Sequence, residues 1–589
     1  MAKEAKILPT LKEVEEWLDS IPRANVGRSA ELLYKFLKQL PNADFNHQLY
    51  FDVLEKLQPI MNHIWECLRK HFIGQSTITK EQRPQIVALA QALENRYATA
   101  YAILVSQIVR VPDKEDKKIH GIALLRALDH LRRVLVASFQ LHSQPPDYLW
   151  LKIHKLYAHA EKNSLLDKKI KSTDHNLHRC AEDCYKHCLL LSIANPFHLD
   201  EQDIDKVDQA LFNWAEYAIL SETDEKEPLF VIYLDHDCKP QYVDYDKLKD
   251  PSTRHLYMYT GKLVEHIENS LKQRADAEVA QDIMTAMPKR LLIYLQAVWG
   301  TLHKREHVRT VQNGTATVCL GLYSIHYNTG DKTTLTATEK KTDLQLIAKE
   351  ENEDKEEIFK IPEKKPAYKD SKSSIPPAYD PWDLLYKNQA PTEQQAEIKK
   401  KIEEVRRFKS FQWKIIDKSH GGYRLLTTKE NISNVQPGEL IAVQESSGNF
   451  SDNWSIGTIC WSKLVIDEGV HVGIQLMAKS IMPVLVRLCG ENQEETQHIR
   501  GILLYNPLNT KKKETLLLPS IRISLGQTAF LHHTSLETEI KIKEVLDTNK
   551  YFIHVNFDKI STIRENLQIS EETLKEEGKD QANDIWDDI

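Results

Sequence analysis

Apolar residues in the first three hundred positions recur at the spacing of one face of a helix. Leu32, Leu33, Phe36 and Leu37 form one such stripe, and a longer stripe runs through residues 49–68. Residues three and four apart share a helix face, so each stripe predicts an amphipathic helix. Further runs of this kind cover 80–108, 117–142, 147–164, 174–193, 203–219, 251–273 and 277–299.

Short connections between long helices favour antiparallel neighbours. We therefore predict an all-α region over residues 1–300, built of helical hairpins in a TPR-like manner, although no clean repeat of the TPR period is present. One segment differs, because LFVIYL and QYVDY around Asp235-His236-Asp237 predict a short β-hairpin. We interpret the acidic-histidine triplet as turn chemistry rather than as a metal site.

The hydrophobic period changes from 3.6 to 2 at about Leu302. Residues 315–327 (TATVCLGLYSIHY) have the alternation of a strand. After a long polar stretch, further strand-like segments follow with Gly-containing turns between several of them: FQWKIID, GYRLLT, ELIAVQE, WSIGTICWSKLV and VHVGIQLMA. Short strands at this spacing predict a barrel or sandwich.

The predicted domain order is therefore α-helical first and β-rich afterwards, an α+β chain. The first β domain spans 302–490 and is interrupted at about 330–408 by a segment with too little apolar content to build a core, which we predict to be disordered. A second small β domain covers 491–560, and an acidic tail covers 561–589.

Composition narrows the class of protein. The chain has 589 residues, which indicates roughly three to five folding units, and its formal net charge is −7. That balance argues against DNA binding through the whole surface. No apolar stretch is long enough to span a membrane, and the N-terminal segment lacks the apolar core of a secretory signal. The eight scattered cysteines favour a reducing compartment, so we predict a cytoplasmic protein.

No common enzyme signature is present in the sequence, whether a Walker loop, GxGxxG, HExxH or GxSxG. We therefore predict that the protein is not an enzyme. Cys180, Cys184 and Cys188 continue a helical core stripe, and their separation along a helix does not fit one tetrahedral metal site. We predict no metal and no cofactor.

Two short segments carry candidate binding chemistry. Arg305 and Arg309 lie four positions apart, which can place both guanidinium groups on one side of the chain. Arginine forks match phosphate oxygens and also the O6 and N7 atoms of guanine. Taken alone, such a pair is usually a solvated surface feature.

The second segment follows a predicted strand and contains Asp417, Ser419, Gly421 and Gly422. Residues two apart on a strand share a face, so the carboxylate and the hydroxyl can act together. Glycines allow a turn with positive φ and a close backbone approach. A carboxylate and a hydroxyl suit the donor edge of guanine, and backbone NH groups suit an anionic oxygen. The two segments together fit a cyclic dinucleotide.

At these residues the chain resembles the PilZ family, which carries RxxxR before its first barrel strand and [DN]xSxxG at the end of a later strand. The segments Trp454-Ser-Ile-Gly457 and Gly473-Ile-Gln-Leu476 resemble the closing strands of that barrel. The resemblance implies an antiparallel six-stranded barrel with cyclic di-GMP as ligand. It further implies that Arg305 and Arg309 clamp phosphate and guanine.

For the second motif, the same resemblance implies that Asp417, Ser419 and Gly422 hold the other guanine edge. The chain departs from the family in the long insertion between the two motifs. Such an insertion costs little closure entropy, about 0.6 kcal/mol per doubling of loop length.

The segments LPTLKEVEEWLDSIP, CLLLSIANPFHL and HGGYRL resemble a narrower group, the FimW-type surface-attachment receptors. We therefore predict a receptor that couples the level of cyclic di-GMP to an unidentified protein partner of the helical domain, in control of surface attachment, pili or motility. Ligand capture at Arg305 and Arg309 would order the junction between helices and barrel.

Two alternatives remain open. One is an interaction scaffold with a degenerate barrel that binds no nucleotide. The other is an RNA-associated or chaperone-like helical array, favoured only by the basic-aromatic run at 399–413.

Overall fold

The computed structural model describes most of the chain. The described residues are 10–71, 73, 83–110, 116–171, 178–224, 227–245, 254–276, 287–302, 308–330, 409–427, 435–446, 453–465, 468–488, 498–505, 514–533 and 536–564. The chain divides into two compact units, one of residues 1–308, 355–391 and 461–471 and one of residues 309–354, 392–460 and 472–589.

The first unit is predominantly helical. Its helices are α1 Leu11–Asp19, α2 Val26–Gln39, α3 His47–Arg69, α4 Arg83–Arg110, α5 Asp116–Gln140, α6 Leu149–Lys162, α7 Ala181–Ile193, α8 Glu201–Trp214, α9 Gly261–Asp276 and α10 Lys289–Gly300. Polar residues begin several of them, because a side-chain oxygen there accepts an otherwise unpaired backbone N–H. Thr10 forms a capping box with Glu13, and Asn46 and Asp200 accept from Leu49 N and Asp203 N.

Helices α4 and α5 run antiparallel, as predicted for neighbours in helical hairpins. Gln91 donates to Ser138 over 2.8 Å, whereas Glu94, further along α4, contacts the earlier residue His130. Their apolar faces belong to one continuous core that also includes residues of α1 to α3 and α6 to α10. None of the described helices combines the length and apolarity needed to cross a bilayer.

Charged side chains are also buried among these helices. Arg132 donates through Nη1 to both carboxylate oxygens of Asp208, over 2.6 and 2.8 Å, and His187 Nε2 lies 2.8 Å from the same carboxylate. Burial opposes ionisation, but Arg132 and His187 outweigh it and lower the pKa of Asp208. The network links α5, α7 and α8, because each buried charge requires its partner.

The cysteine stripe lies in α7 and at its start. Cys184 and Cys188 are fully buried in the core, and Cys180 begins the helix, its Sγ accepting from Asp183 N over 3.5 Å. Burial raises the pKa of the Cys184 thiol to about 12. Among the described residues, no cluster of three or more His, Cys, Asp and Glu side chains is placed to hold a metal ion.

A four-stranded sheet also belongs to the helical unit. It consists of β3 Ile219–Ser221, β6 His255–Tyr259, β4 Phe230–Tyr233 and β5 Gln241–Tyr242, in that spatial order. The predicted hairpin is present, since Phe230 pairs with Tyr242. Asp237 of its turn accepts from Tyr148 N and Leu151 N at the start of α6. Asp237 of the triplet therefore caps the start of α6.

The helix predicted over 251–273 was wrong at its beginning. Residues 255–259 form β6, and the helix begins at Gly261. The segment HLYMY is a short apolar run, and periodicity alone does not separate a buried strand from a helix turn at this length. A further two-residue ladder pairs β1 Ile170–Lys171 with β2 His178–Arg179.

Six strands, most of whose residues belong to the second unit, form a closed antiparallel barrel, which confirms the predicted α+β fold class. Its strands are β7 Thr310–Leu320, β8 Phe411–Ser419, β9 Gly422–Thr427, β10 Leu440–Glu445, β11 Ser455–Val465 and β12 Gly469–Ala478. The spatial order is β10-β11-β12-β9-β8-β7, closed by pairing of β7 with β10. Trp413 of the basic-aromatic run is 1% exposed, so its ring is not available to stack on a base.

The strand predicted over 315–327 was wrong in its second half. Strand β7 ends at Leu320, Gly321 has φ 75°, and helix α11 spans Leu322–Thr329. The positive φ at Gly321 turns the chain out of the strand, a conformation that favours glycine. The predicted insertion at 330–408 lies outside the described residues except for Gly330, as does the acidic tail beyond Arg564.

The second β domain is also a closed six-stranded barrel. Its strands are β13 Ile481–Leu488, β14 His498–Leu504, β15 Thr515–Pro519, β16 Thr528–His533, β17 Leu536–Thr548 and β18 Phe552–Arg564. Its spatial order is β13-β14-β15-β18-β17-β16, closed by pairing of β13 with β16. If the strands of each barrel are numbered one to six in chain order, both barrels have the same neighbours: 1-2, 2-3, 3-6, 6-5, 5-4 and 4-1. The two barrels thus share one topology.

The predicted boundary at 490 falls too late in the chain. Strand β13 pairs with β14 and β16, so the second barrel begins at Ile481. The acidic tail was likewise predicted to begin too early, at 561, because β18 continues to Arg564. An alternating apolar pattern identifies a strand but not the neighbours with which it pairs.

Side chains from both barrels form a common core outside their interiors. Ile325 of α11 and Ala442 of β10 belong to the same buried cluster as Ile502, Leu517 and Phe552 of the second barrel. His326 Nε2 also donates to Val484 O over 3.2 Å. The two barrels of this unit are therefore packed together by apolar burial.

Candidate functional site

The candidate site lies where β7 begins and β8 ends. Thr310 pairs with Lys418 and Val311 with Asp417, and then the register shifts before Gly314 pairs with Ile415. A second shift lies between Ile415 and Asp417 in the pairing of β8 with β9. Bulges re-aim side chains and are frequent beside functional sites. Both irregularities adjoin Asp417.

Arg309 joins the two sequence motifs. Its Nη1 donates to Asp417 Oδ1 over 2.7 Å, although the two residues are 108 positions apart in the chain. The Arg309 side chain is 30% exposed and the Asp417 side chain 13%. The guanidinium group predicted as a phosphate clamp therefore already contacts the carboxylate predicted to read guanine. Arg305 lies outside the described residues.

Ser419 and Gly422 face each other at the tight turn that joins β8 to β9. Ser419 Oγ donates to Gly422 O over 3.5 Å, and Gly421 O accepts from Leu476 N over 2.9 Å. The structure thus places Asp417, Ser419, Gly421 and Gly422 at the end of β8 and the turn that follows, and Asp417 is the member of this group that contacts Arg309.

Gly422 is required by a close approach of strands. A Cβ at this position would lie 2.0 Å from Ile474 O of strand β12. The other expectation, a turn with positive φ, was wrong: positive-φ glycines among the described residues are Gly321, Gly438, Gly469 and Gly526. The two-residue connection leaves the chain extended at Gly422, and the absent side chain matters because β9 and β12 touch there.

Arg424 belongs to the same surface and was not predicted as a site residue. It pairs with Asp417 across β8 and β9, and its Nη1 lies 3.8 Å from Asp417 Oδ2. The buried residues Tyr423 and Leu425 on either side point into the barrel, so Arg424 points outward. This alternation, read from Gly422 onward, was the sequence signal that could have identified it.

The inner side of the same strand ends carries a second polar group. Tyr423 OH donates to Glu445 Oε1 over 2.7 Å, and Lys418 Nζ lies 3.1 Å from Glu445 Oε2. Burial, together with Glu445, raises the pKa of Tyr423. The phenol therefore stays protonated and donates, which holds β8, β9 and β10 together below the outer site.

Strands β11 and β12 contribute Cys460 and Gln475. Cys460 Sγ donates to Gln475 Oε1 over 3.7 Å. Burial raises the pKa of the Cys460 thiol, and the nearby positive charge of Arg309 partly opposes that rise. Arg309 thus lies close enough to influence both the β8 and the β11 sides of this outer surface.

The arrangement favours an anionic ligand with a hydrogen-bonding edge. Arg309 and Arg424 contribute two positive charges and Asp417 one negative charge. Guanidinium groups bind phosphate or purine acceptors, and a carboxylate accepts from purine N–H groups. A nucleotide with both chemical features fits this surface.

Comparison with known families divides the chain into two consecutive matches. Residues 12–226 match the family described as "Cyclic-di-GMP receptor FimW, N-terminal domain". Residues 229–483 match the one described as "Cyclic-di-GMP receptor FimW, middle PilZ domain". The second match contains Arg305, Arg309, Asp417 and Gly422.

A curated relative extends the likeness over most of the chain. The chain is 25% identical to the "Cyclic-di-GMP receptor FimW" of Pseudomonas aeruginosa over 539 residues, which cover 88% of this chain and 85% of the relative. No solved structure matches the chain. The chain therefore belongs to the FimW-type family of PilZ-domain cyclic di-GMP receptors.

Proposed function

We propose that the first barrel binds cyclic di-GMP on its outer face beside Asp417, and that the protein acts as a receptor rather than an enzyme. The observation that carries this proposal is the 2.7 Å contact between Arg309 and Asp417, which joins the two motifs of the site. The Pseudomonas aeruginosa relative is named a cyclic di-GMP receptor, which supports the same ligand.

In the proposed complex, Arg309 turns from Asp417 to a phosphate oxygen, and Arg305 contributes the second guanidinium group. Asp417 then accepts from the N–H groups of guanine, and Ser419 supports it. Gly421 has no side chain of its own to cover the backbone of this turn, so the ligand can approach the backbone there. The exchange is feasible because the ion pair is partly exposed, and such pairs contribute little net stability.

Isothermal titration of the full chain with cyclic di-GMP tests the assignment. Charge-assisted contacts are worth about 1.5–3 kcal/mol each, so Arg309→Ala should weaken binding about tenfold to a hundredfold. Arg487→Ala is a matched control, because Arg487 is 37% exposed and pairs with Glu537 over 2.9 Å on the second barrel. Equal affinity of wild type and Arg309→Ala would contradict the site.

A second candidate function is that of an interaction scaffold whose barrel binds no nucleotide. The presence of Asp417, Ser419 and Gly422 at one turn argues against this alternative. The same titration separates the two, because a scaffold would give no heat with wild-type protein at any ligand concentration.

We further propose that ligand binding changes the affinity of the helical unit for a protein partner, in control of surface attachment, pili or motility. The chain first passes from one compact unit to the other between Val308 and Arg309, so an arginine of the proposed ligand site adjoins that crossing. Coupling requires that the ligand favour one arrangement over another. Small-angle scattering should therefore differ with and without ligand, and identical profiles at saturation would contradict the coupling.

A further inference from the structure

Three side chains form a row across the outer face of the first barrel. Val311 on β7 pairs with Asp417 on β8, and Asp417 pairs with Arg424 on β9. Directly opposed residues of antiparallel strands place their side chains on the same face. Asp417 is thus flanked by an apolar side chain on one side and a guanidinium group on the other.

The pair of Arg424 and Asp417 presents donors next to acceptors. Arg424 Nη1 lies 3.8 Å from Asp417 Oδ2, and Arg309 occupies the other oxygen, Oδ1. Arg424 therefore remains beside the carboxylate even when Arg309 turns to a phosphate. A ligand edge that meets both side chains must offer an acceptor to Arg424 and donors to Asp417.

Guanine offers this sequence of groups along its Watson–Crick edge, namely the O6 acceptor followed by the N1–H and N2–H donors. Adenine offers the reverse, an N6–H donor followed by the N1 acceptor, so it would set donor against donor and acceptor against acceptor. Arginine and carboxylate side chains are the usual partners of guanine acceptors and of base amino groups, respectively.

Val311 adds an apolar surface beside the carboxylate. Val311 is 85% exposed, and it lies opposite Asp417 at the edge of the bulge. A base whose edge meets Asp417 can cover this side chain, and burial of apolar area favours binding. A phosphate alone would leave it in water, so the surroundings of Asp417 favour a base over an inorganic anion.

We propose that Arg424 is a further ligand-binding residue and that, with Asp417, it selects guanine over adenine in the bound dinucleotide. This inference rests on the proposed function of the first barrel. It assigns base selectivity to a residue outside the RxxxR and DxSxxG segments. Arg309 and Arg305 are left to the phosphates, which guanine and adenine dinucleotides share.

Competition titrations of the full chain with cyclic di-GMP and cyclic di-AMP test the assignment. We expect Arg424→Ala to weaken cyclic di-GMP binding about tenfold to a hundredfold and to leave cyclic di-AMP within about twofold of wild type. The ratio of the two affinities therefore falls. Arg424→Lys, which keeps the charge but loses the planar fork, should give an intermediate ratio. Arg487→Ala on the second barrel should leave both affinities unchanged.

Two results would overturn the assignment. If Arg424→Ala binds cyclic di-GMP like wild type, Arg424 does not contact the ligand. If both dinucleotides weaken by the same factor, Arg424 supports the barrel or the phosphates and does not read the base. Failure of the receptor function itself is distinct, because wild-type protein would then bind neither dinucleotide.

Discussion

Replacement of Gly422 by alanine is a sharp test of how the barrel positions its binding turn. The added Cβ would lie 2.0 Å from Ile474 O and 3.1 Å from the carbonyl carbon of the same residue. Both contacts are with backbone, so no side-chain rotation relieves them, and β9 and β12 must separate by more than about 1 Å to restore van der Waals distances. Overpacking costs about 1–3 kcal/mol where side chains can adjust, so we expect a loss of about 3 kcal/mol here.

Scanning calorimetry and hydrogen exchange measure this loss. A destabilisation of about 3 kcal/mol lowers the melting temperature of a folding unit of about 150–250 residues by roughly 6–12 °C. Faster amide exchange should concentrate in β9 and β12. Gly314→Ala is the matched control in the same barrel, because its Cβ would meet only Ile415 Cδ1, at 3.6 Å. Identical melting of the two variants would refute the explanation of Gly422 by backbone contact.

Two further predictions concern the second unit. Burial lowers the pKa of His326 from 6.5 to about 4, so between these pH values the unfolded state binds a proton that the folded state does not. The contribution of His326 to the stability of the folded state is therefore complete above pH 6.5 and is lost as the pH falls towards 4. The free energy of unfolding, measured as a function of pH, should fall by about 3 kcal/mol across this range, and the fall should be smaller in His326→Gln. The same pH dependence in wild type and His326→Gln would contradict the role of His326. Ile502→Asp buries a charge in the core common to both barrels, where Ile502 is 0% exposed, and should cost on the order of 4 kcal/mol. Denaturant unfolding measures this cost, with Leu525→Asp as the control because Leu525 is 69% exposed. Equal stability of the two variants would contradict the burial of Ile502 in a core common to both barrels.

The sequence predicted the elements of this chain better than their partners. Alternating segments such as FQWKIID and GYRLLT predicted strands of the first barrel, because period 2 reflects one buried face. The closure of the second barrel and its start at Ile481 did not follow, since register and pairing depend on contacts distant in the chain. The segment after Leu320 became a helix because Gly321, at φ 75°, ends the strand.

The candidate site likewise was predicted better in its individual residues than in the contacts between strands. Asp417, Ser419 and Gly422 were identifiable from their spacing, and the contact of Asp417 with Arg309 agrees with the joint role predicted for the two segments. Arg424 was missed because its role depends on which strand lies beside β8. The sequence suggested two reasons for Gly422, a turn with positive φ and a close backbone approach. The structure supports the second, because Ile474 O, 52 positions later in the chain, leaves no room for a Cβ.

The two barrels show why one topology need not carry one function. In the first barrel the second and third strands pair Asp417 with Arg424 on the outer face. The corresponding strands of the second barrel pair Ile502 with Leu517, and both of these side chains are buried against the first barrel. A polar outer face can bind a charged ligand, whereas an apolar one is covered by a neighbouring domain. The same position in the fold therefore serves the proposed ligand site in one barrel and domain packing in the other, and the two positions differ in whether their outward-facing side chains are charged or apolar.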